Sequence, residues 1–597
     1  MKLKFFFLLL FSLYIINCTL SIEAQATIRY VSKTGTSTPP YTSWATAADS
    51  IQKCINLCVD GDTVYVANGI YKENLVINTA ISLIGSSMDS TVIDGTGLMP
   101  DFATVYFLDK PLKLKYFKII GPGINSFRSA LDTRRSNSDI EFCTITNSYD
   151  GISINFSSTN IYNCYINNNK RAIRIEDPSD LNNSSVINSI IIYTGNSSNA
   201  VYLPFGGNPI FKNNIINEDT GIEYSTGIEA RDYVNPTIQN NLILGFGGQN
   251  IGITQLADTS IIVNNISSYS NGIGYKIDNG LKTTLINNIS SNNSIGIKSS
   301  YALPINKNYN LFWKNKNNLQ GVAICDSEFV ADPMFVKDTI PNVQLDFDYH
   351  LQAYSPAIDK GDPTILDVDG SRSDIGMYGG PFGETYTYQD LAPLSPRNLS
   401  SVVDSNYITV RWNRNTEADT AFYKVYRDTV SGFSVDSTKL VNSSRDTFFV
   451  QPNPHSVARY VYRITCVDNQ GNESQLSPEL VVNVVGIEHY PQLTTNYLLY
   501  QNYPNPFNPS TKIGYQLKER AYVKLMVYDI KGELVSVLVN KEQNAGYYET
   551  VFSSSSIQYL ESSIKGIASG IYLYRIEVIG EGKIPVYTEM KKMLLIK

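Results

Sequence analysis

The sequence predicts an all-β chain: a right-handed parallel β-helix followed by two small β-sandwich domains. Three observations lead there. A short apolar phrase recurs between residues 114 and 312 with a period in the low twenties, the spacing of stacked coils. Nothing inside that repeat has the spacing of a ten-residue amphipathic helix, which excludes βαβ units. Two later stretches, of roughly one hundred residues each, alternate apolar and polar residues between turn signals, as short sandwich strands do.

The repeated phrase is an apolar residue, a spacer, a small or polar residue that is commonly Asn, then an apolar pair. Successive copies place Cys143, Cys164, Ser189, Asn214, Asn241, Asn265, Asn288 and Asn310 in equivalent positions, at steps of 21, 25, 25, 27, 24, 23 and 22 residues. A second apolar phrase lies between these copies, as Gly151-Ile152-Ser153-Ile154, Ala172-Ile173-Arg174-Ile175, Ala200-Val201-Tyr202-Leu203 and Gly227-Ile228-Glu229-Ala230. Each coil therefore carries at least two half-buried strands, with Gly, Asn and Ser at the corners. Buried Asn side chains in file are expected to bond the coils above and below them. A solenoid also needs capped ends. Trp44 to Cys58 has helical spacing, and Trp44, Ala48, Ile51, Ile55 and Cys58 fall on one face, which predicts an N-terminal helical cap.

Lys2 and Lys4 precede an apolar run from Phe5 to Ile16, and Ala24-Gln25-Ala26 offers small residues for cleavage. This reads as a secretory signal peptide over 1–26, and no later stretch is long enough to span a membrane. The net charge of -7 over 597 residues argues against nucleic acid as a partner. The cysteines form no CxxC pair and the histidines no cluster, so no metal centre is predicted. Cys54 and Cys58 read as packing residues of the cap, and Cys143 and Cys164 as stacked core residues.

Four resemblances extend this reading. Tyr30-Val31-Ser32, Gly61-Asp62-Thr63-Val64 and Gly69-Ile70-Tyr71 resemble the start of secreted β-helix proteins of the pectin-lyase-like class. Asp348-Tyr349-His350-Leu351-Gln352, Ser355-Pro356-Ala357-Ile358-Asp359-Lys360-Gly361 and Asp374-Ile375-Gly376-Met377-Tyr378 resemble the closing signature of bacterial surface β-helix proteins with a choice-of-anchor module. Ile408-Thr409-Val410-Arg411-Trp412, Tyr423-Lys424-Val425-Tyr426-Arg427 and the turn Asn469-Gln470-Gly471-Asn472 resemble a fibronectin type III domain. Tyr503-Pro504-Asn505-Pro506-Phe507-Asn508-Pro509, Val523 to Gly532, Gly570 to Ile576 and Lys591 to Lys597 resemble the type A sorting domain read by the type IX secretion system of Bacteroidetes. Together they imply a signal peptide at 1–26, the β-helix with its cap at 27–385, a fibronectin-like sandwich at 393–486, a linker at 487–500 and a sorting domain at 501–597. They further imply passage through the periplasm, recognition by the type IX machinery, and release or display at the outer cell surface; a monomer is expected.

Function is expected on the outward positions of the second phrase. One column is predicted to run Asp132, Ser153, Arg174, Tyr202, Glu229, Thr254, Lys276, Lys298, and the next Arg134, Asn155, Glu176, Pro204, Arg231. Lyases of acidic sugars need a group that neutralises a uronate carboxylate and a base that removes the adjacent proton. Arg174, Arg231 and Glu229 are the candidate catalytic residues. Arg134, Glu176 and Tyr202 are the candidate substrate-binding residues, Tyr202 as a platform for a sugar ring. Ca²⁺ held by Asp or Glu also serves such chemistry, although the sequence demands no cofactor. The same charges could equally form surface ion pairs worth about 0–1 kcal/mol each. The sequence thus leaves two readings: a secreted or cell-surface β-helix that binds an extracellular polysaccharide, with lyase or hydrolase chemistry left open, or a non-catalytic surface adhesin or structural matrix protein. All three histidines, His350, His455 and His489, lie outside the repeat, which disfavours His-based catalysis there. Asp359, Asp362, Asp367, Asp369 and Asp374 lack the later Glu of an EF-hand and read as turn-forming residues.

Overall fold

The computed structural model describes residues 26–177, 182–195, 199–218, 223–254, 259–278, 282–300, 305–339, 345–454, 459–484, 496–554, 567–580 and 584–596. The expected signal peptide, most of the expected linker, His455 and His489 lie outside them.

Three parallel sheets run the length of the solenoid, and each coil contributes one strand to each. Among the described residues the first sheet has 12 strands, from Ile28–Val31 to Asn306–Asn308. The second has 11, from Leu75–Ile77 to Asn317–Gln320, and the third has 12, from Gly69–Tyr71 to Phe329–Val330. The inward residues form a single core. Ile140, Ile161, Val186, Phe211, Ile238, Ile262 and Leu285 follow one another up the first sheet, all fully buried.

The Asn phrase has a two-part explanation. The corner between the first and third sheets needs one residue in the left-handed region. Asn163, Asn188, Asn213, Asn240, Asn264 and Asn287 fill it with φ of 53–58°, a conformation that Asn tolerates better than most residues. The next residue points inward and forms the ladder. The amides of Cys164, Ser189, Asn214, Asn241, Asn265 and Asn288 each donate to the side chain of the following rung, at 2.9–3.1 Å. The Asn side-chain amides donate in turn to carbonyls of the neighbouring coil, as Asn241 does to Phe211 at 2.9 Å. Asn310 ends the file by donating to Glu328 at 2.9 Å, and Glu328 pairs with Lys307 in the interior. The equivalent positions therefore stand in one file, Cys143 and Cys164 among them, with both thiols free. Cys54 and Cys58 are free as well.

The N-terminal cap is shorter than the spacing predicts. Only Ile51–Ile55 is helical. Ala48 is instead bridged to Val31 in extended conformation, and the Ser50 side chain caps the helix by accepting from the Lys53 amide. Glu73 accepts from the Ile51 and Gln52 amides at 2.8 and 3.1 Å, fixing the start of the helix there. Trp44 is consequently outside the buried face. It is 49% exposed and packs on the Tyr30 ring at 4.6 Å.

The segment carrying the closing signature lies along the side of the solenoid. Phe335, Tyr349, Leu351, Ala357 and Ile375 cover the outward apolar residues Leu242, Leu244, Ile266, Ile289 and Leu311 of the third sheet. The left-handed Asn residues hold it in place. Asn240 donates to Met377 and Gly379 at 2.7 and 2.6 Å, and Asn264 to the Asp374 carbonyl at 2.9 Å. The acidic residues of this segment bond turns. Asp362 and Asp369 accept from Thr364 and Ser371, and Asp367 from the amides of Asp374 and Gly380.

Two antiparallel units follow. The first packs sheets of 3 and 4 strands over Ser400 to Asn483, with Trp412 and Tyr423 edge-on in its core at 5.4 Å. The second packs sheets of 3 and 4 strands over Leu498 to Leu595 around Tyr515, Val523, Leu525 and Tyr574.

Candidate functional site on the second sheet

Alternation along each strand of the second sheet turns one set of side chains inward and the other out. Strand pairing places the outward column as Tyr106, Asp132, Ser153, Arg174, Tyr202, Glu229, Gly252, Lys276 and Lys298. Gly252 takes the place predicted for Thr254, which pairs with Asp278 instead. The next column runs Arg134, Asn155, Glu176 and then Phe205, not Pro204. A bulge between Arg174 and Glu176 shifts the register by one residue there. Equal spacing of phrases cannot reveal such a slip. Arg231 follows the strand Thr226–Ala230 and reaches back over it.

Most of the cations are held by carboxylates. Arg174 pairs with Glu176. Arg231 donates from Nε to Glu229 at 2.7 Å, and Arg171 forms a bidentate pair with Asp150 at 2.7 and 2.9 Å. Lys276 pairs with Asp278 at 3.1 Å. The Tyr202 ring is flanked by two guanidiniums, Arg171 at 5.3 Å and Arg231 at 5.4 Å. The structure thus groups Arg231, Glu229 and Tyr202 in one cluster and Arg174 with Glu176 in a neighbouring pair. Arg134 stands apart, over the Phe102 ring at 4.8 Å.

The most unusual group is Asp132, which the sequence places in the column but does not distinguish. It is 5% exposed, and burial raises its pKa to about 6 against the opposing pull of Arg134, Asn155 and Ser153. Its Oδ2 accepts from Asn155 at 3.2 Å. Its Oδ1 and the Nε of Arg134 are both buried without a hydrogen-bond partner among the described residues. A buried acceptor and a buried donor two residues apart on one face, both unsatisfied, suit a polar ligand that completes them. Arg174 is also perturbed: burial, then the neighbouring Arg171, lowers its pKa. Exposed aromatic residues rim this part of the solenoid, with Phe127 72%, Phe156 53%, Phe205 44% and Tyr233 53% exposed.

His350 belongs elsewhere. Its ring is stacked on Tyr378 at 3.9 Å, with Nδ1 2.6 Å from Asp348 and Nε2 2.6 Å from Glu384. It braces the closing segment.

No family model matches the chain. It is 26% identical over 149 residues to an amylopullulanase of Thermoanaerobacter thermohydrosulfuricus, covering 21% of this chain and 10% of that protein. It is 32% identical over 94 residues to an amylopullulanase of Thermoanaerobacterium saccharolyticum, covering 16% of this chain and 7% of that protein. The chain thus spans a tenth or less of the length of these curated relatives. Among solved structures, pectate lyase Pel9A is similar at a TM-score of 0.40 and 18% identity, over 59% of this chain and 96% of that one. Alginate lyase from Paenibacillus sp. str. FPU-7 is similar at a TM-score of 0.33 and 14% identity, over 45% of this chain and 94% of that one.

Proposed function

We propose that the chain is an exported β-helix protein that binds an acidic extracellular polysaccharide along the outward face of its second sheet. The observation that carries this is the pair of unsatisfied buried polar atoms, Asp132 Oδ1 and Arg134 Nε, in adjacent columns of a face where aromatic and charged side chains repeat at the coil spacing. A sugar polymer presents rings and hydroxyls at regular intervals. Stacked rungs about 4.8 Å apart present matching groups at regular intervals. Arg134 is the group placed to receive a uronate carboxylate, and Tyr202 offers a ring face to a sugar. The apolar N-terminal run and the resemblance of residues 501–597 to a sorting domain support export through the type IX machinery. No helix among the described residues is long and apolar enough to cross a membrane.

Asp132 favours a second reading, in which the bound polymer is also cleaved. A carboxyl with a pKa near 6 exchanges protons at neutral pH and suits general acid–base work. Arg174 and Arg231 then serve as the electrostatic surround, holding a developing negative charge, with Glu229 keeping the Arg231 guanidinium in place. The test is to incubate the full chain with pectate, alginate and a neutral glucan, following retention in affinity gels and the release of unsaturated products. Retention by the acidic polymers, weakened by Arg134→Ala, is the expected result; equal retention by the neutral glucan would refute the binding reading. Product release abolished by Asp132→Asn with binding preserved would establish cleavage, and its absence on all three polymers would leave binding alone.

A further inference from the structure

A different part of the molecule carries three carboxylates on a common centre. Asp390 lies in the segment leaving the solenoid, next to Gln389, which is bridged to Gln352. Asp419 precedes the strand Thr420–Asp428, and Asp468 ends the strand Arg459–Asp468 of the same sheet. The pairing of Thr420 with Asp468 brings those two residues together at the edge of the sandwich. One oxygen from each of the three carboxylates lies within 4.8 Å of the others.

Asp419 is the second, independent observation. It is 6% exposed, yet its carboxylate has no hydrogen bond or ion pair to another of the described residues. The charged groups around it are Asp468, Asp390 and Glu417, all negative. A buried carboxylate facing only other carboxylates is costly unless a cation joins them. Asp468, 2% exposed, is already oriented, accepting from the Gln470 and Asn472 amides at 3.0 and 2.8 Å. Both of those amides use Oδ1, while Oδ2 accepts one bond, from the Asn472 side chain at 2.9 Å, and keeps a lone pair for a cation.

We infer that Asp390, Asp419 and Asp468 form a calcium site that joins the end of the solenoid to the first sandwich. The donor set is oxygen only, which selects a hard cation. Two ligands on opposite sides of Ca²⁺, each at about 2.4 Å, stand about 4.8 Å apart, and the three carboxylate oxygens lie within that span. Water completes the shell on the side of exposed Asp390. The ion reinforces a junction where, among the described residues, Thr416 donates to Asp332 and the Ala418 amide to the Met334 sulfur. Its consequence is a fixed angle between the polysaccharide-facing solenoid and the modules that follow.

The test is calorimetric titration of the full chain, stripped with EDTA, with CaCl₂ and separately with MgCl₂, for the wild type, Asp419→Asn and Asp390→Asn. Calcium binding weakened at least tenfold in both variants is the expected result. Asp390 is exposed, so its substitution leaves folding intact and isolates the loss of a ligand. Thermal unfolding provides a second readout: Asp419→Asn should exceed the wild type in melting temperature in EDTA, where it removes repulsion, and fall below it in calcium. Calcium binding that is absent, unchanged in both variants, or matched by magnesium would overturn the assignment, as would an Asp419→Asn variant that is less stable in EDTA.

Discussion

Replacing Asp132 by Asn perturbs one atom pair and leaves the shape of the side chain unchanged. The folded chain holds this carboxyl at a pKa of about 6, against 3.8 for the free group. Because the folded value is raised, the protonated form is the one that folding favours. The associated stability is fully present below pH 3.8 and is lost as pH rises through 6. The difference, 6 minus 3.8 or about 2 pH units at roughly 1.4 kcal/mol each, comes to about 3 kcal/mol. Asn carries no charge at any of these pH values. The variant should therefore gain stability over the wild type between pH 4 and pH 8, by up to about 3 kcal/mol. Urea unfolding of both proteins at pH 4, 6 and 8, followed by circular dichroism, measures the gap between their midpoints. A gap that stays constant across that range would refute the claim that burial holds Asp132 partly protonated. A variant that weakens as pH rises would refute its sign.

Other perturbations have equally definite outcomes. Asn241→Ala removes the acceptor for the Asn214 amide and the donor to Phe211, leaving two buried backbone groups unpaired, and should cost about 2–5 kcal/mol in urea unfolding. Ile152→Ala empties a fully buried position of the core and should cost about 2–5 kcal/mol by the same measurement. Tyr202→Ala removes the ring between Arg171 and Arg231. It should weaken oligosaccharide binding about tenfold in calorimetric titration, a difference of about 1.4 kcal/mol. Affinity for an acidic polymer should fall steadily between 50 and 500 mM salt, as screening of partly exposed charges requires.

The sequence made the coil legible because the coil is a periodic object. Each Asn-Asn pair combines a left-handed corner with an inward ladder residue, so the motif marks both the turn and the rung. It does not mark register within a strand. The bulge after Arg174 replaces Pro204 by Phe205 opposite Glu176, and a shorter path to the next coil replaces Thr254 by Gly252 opposite Glu229. The cap helix is over-read for a related reason: spacing places Trp44 and Ala48 on the helical face, but the pairing of Ala48 with Val31 overrides that local pattern. The site was visible as columns and no further. The perturbation of Asp132 arises from burial by several coils at once. The calcium cluster draws Asp390, Asp419 and Asp468 from three separate stretches, with no local motif to announce it.

Hydrogen exchange of the full chain with and without a saturating acidic oligosaccharide tests the central claim most directly. Added protection should concentrate in Ser129–Arg134, Asp150–Asn155, Arg171–Glu176, Asn199–Phe205 and Thr226–Ala230, consecutive strands of one sheet. Protection confined to the sandwich units, or to the first or third sheet, would contradict it.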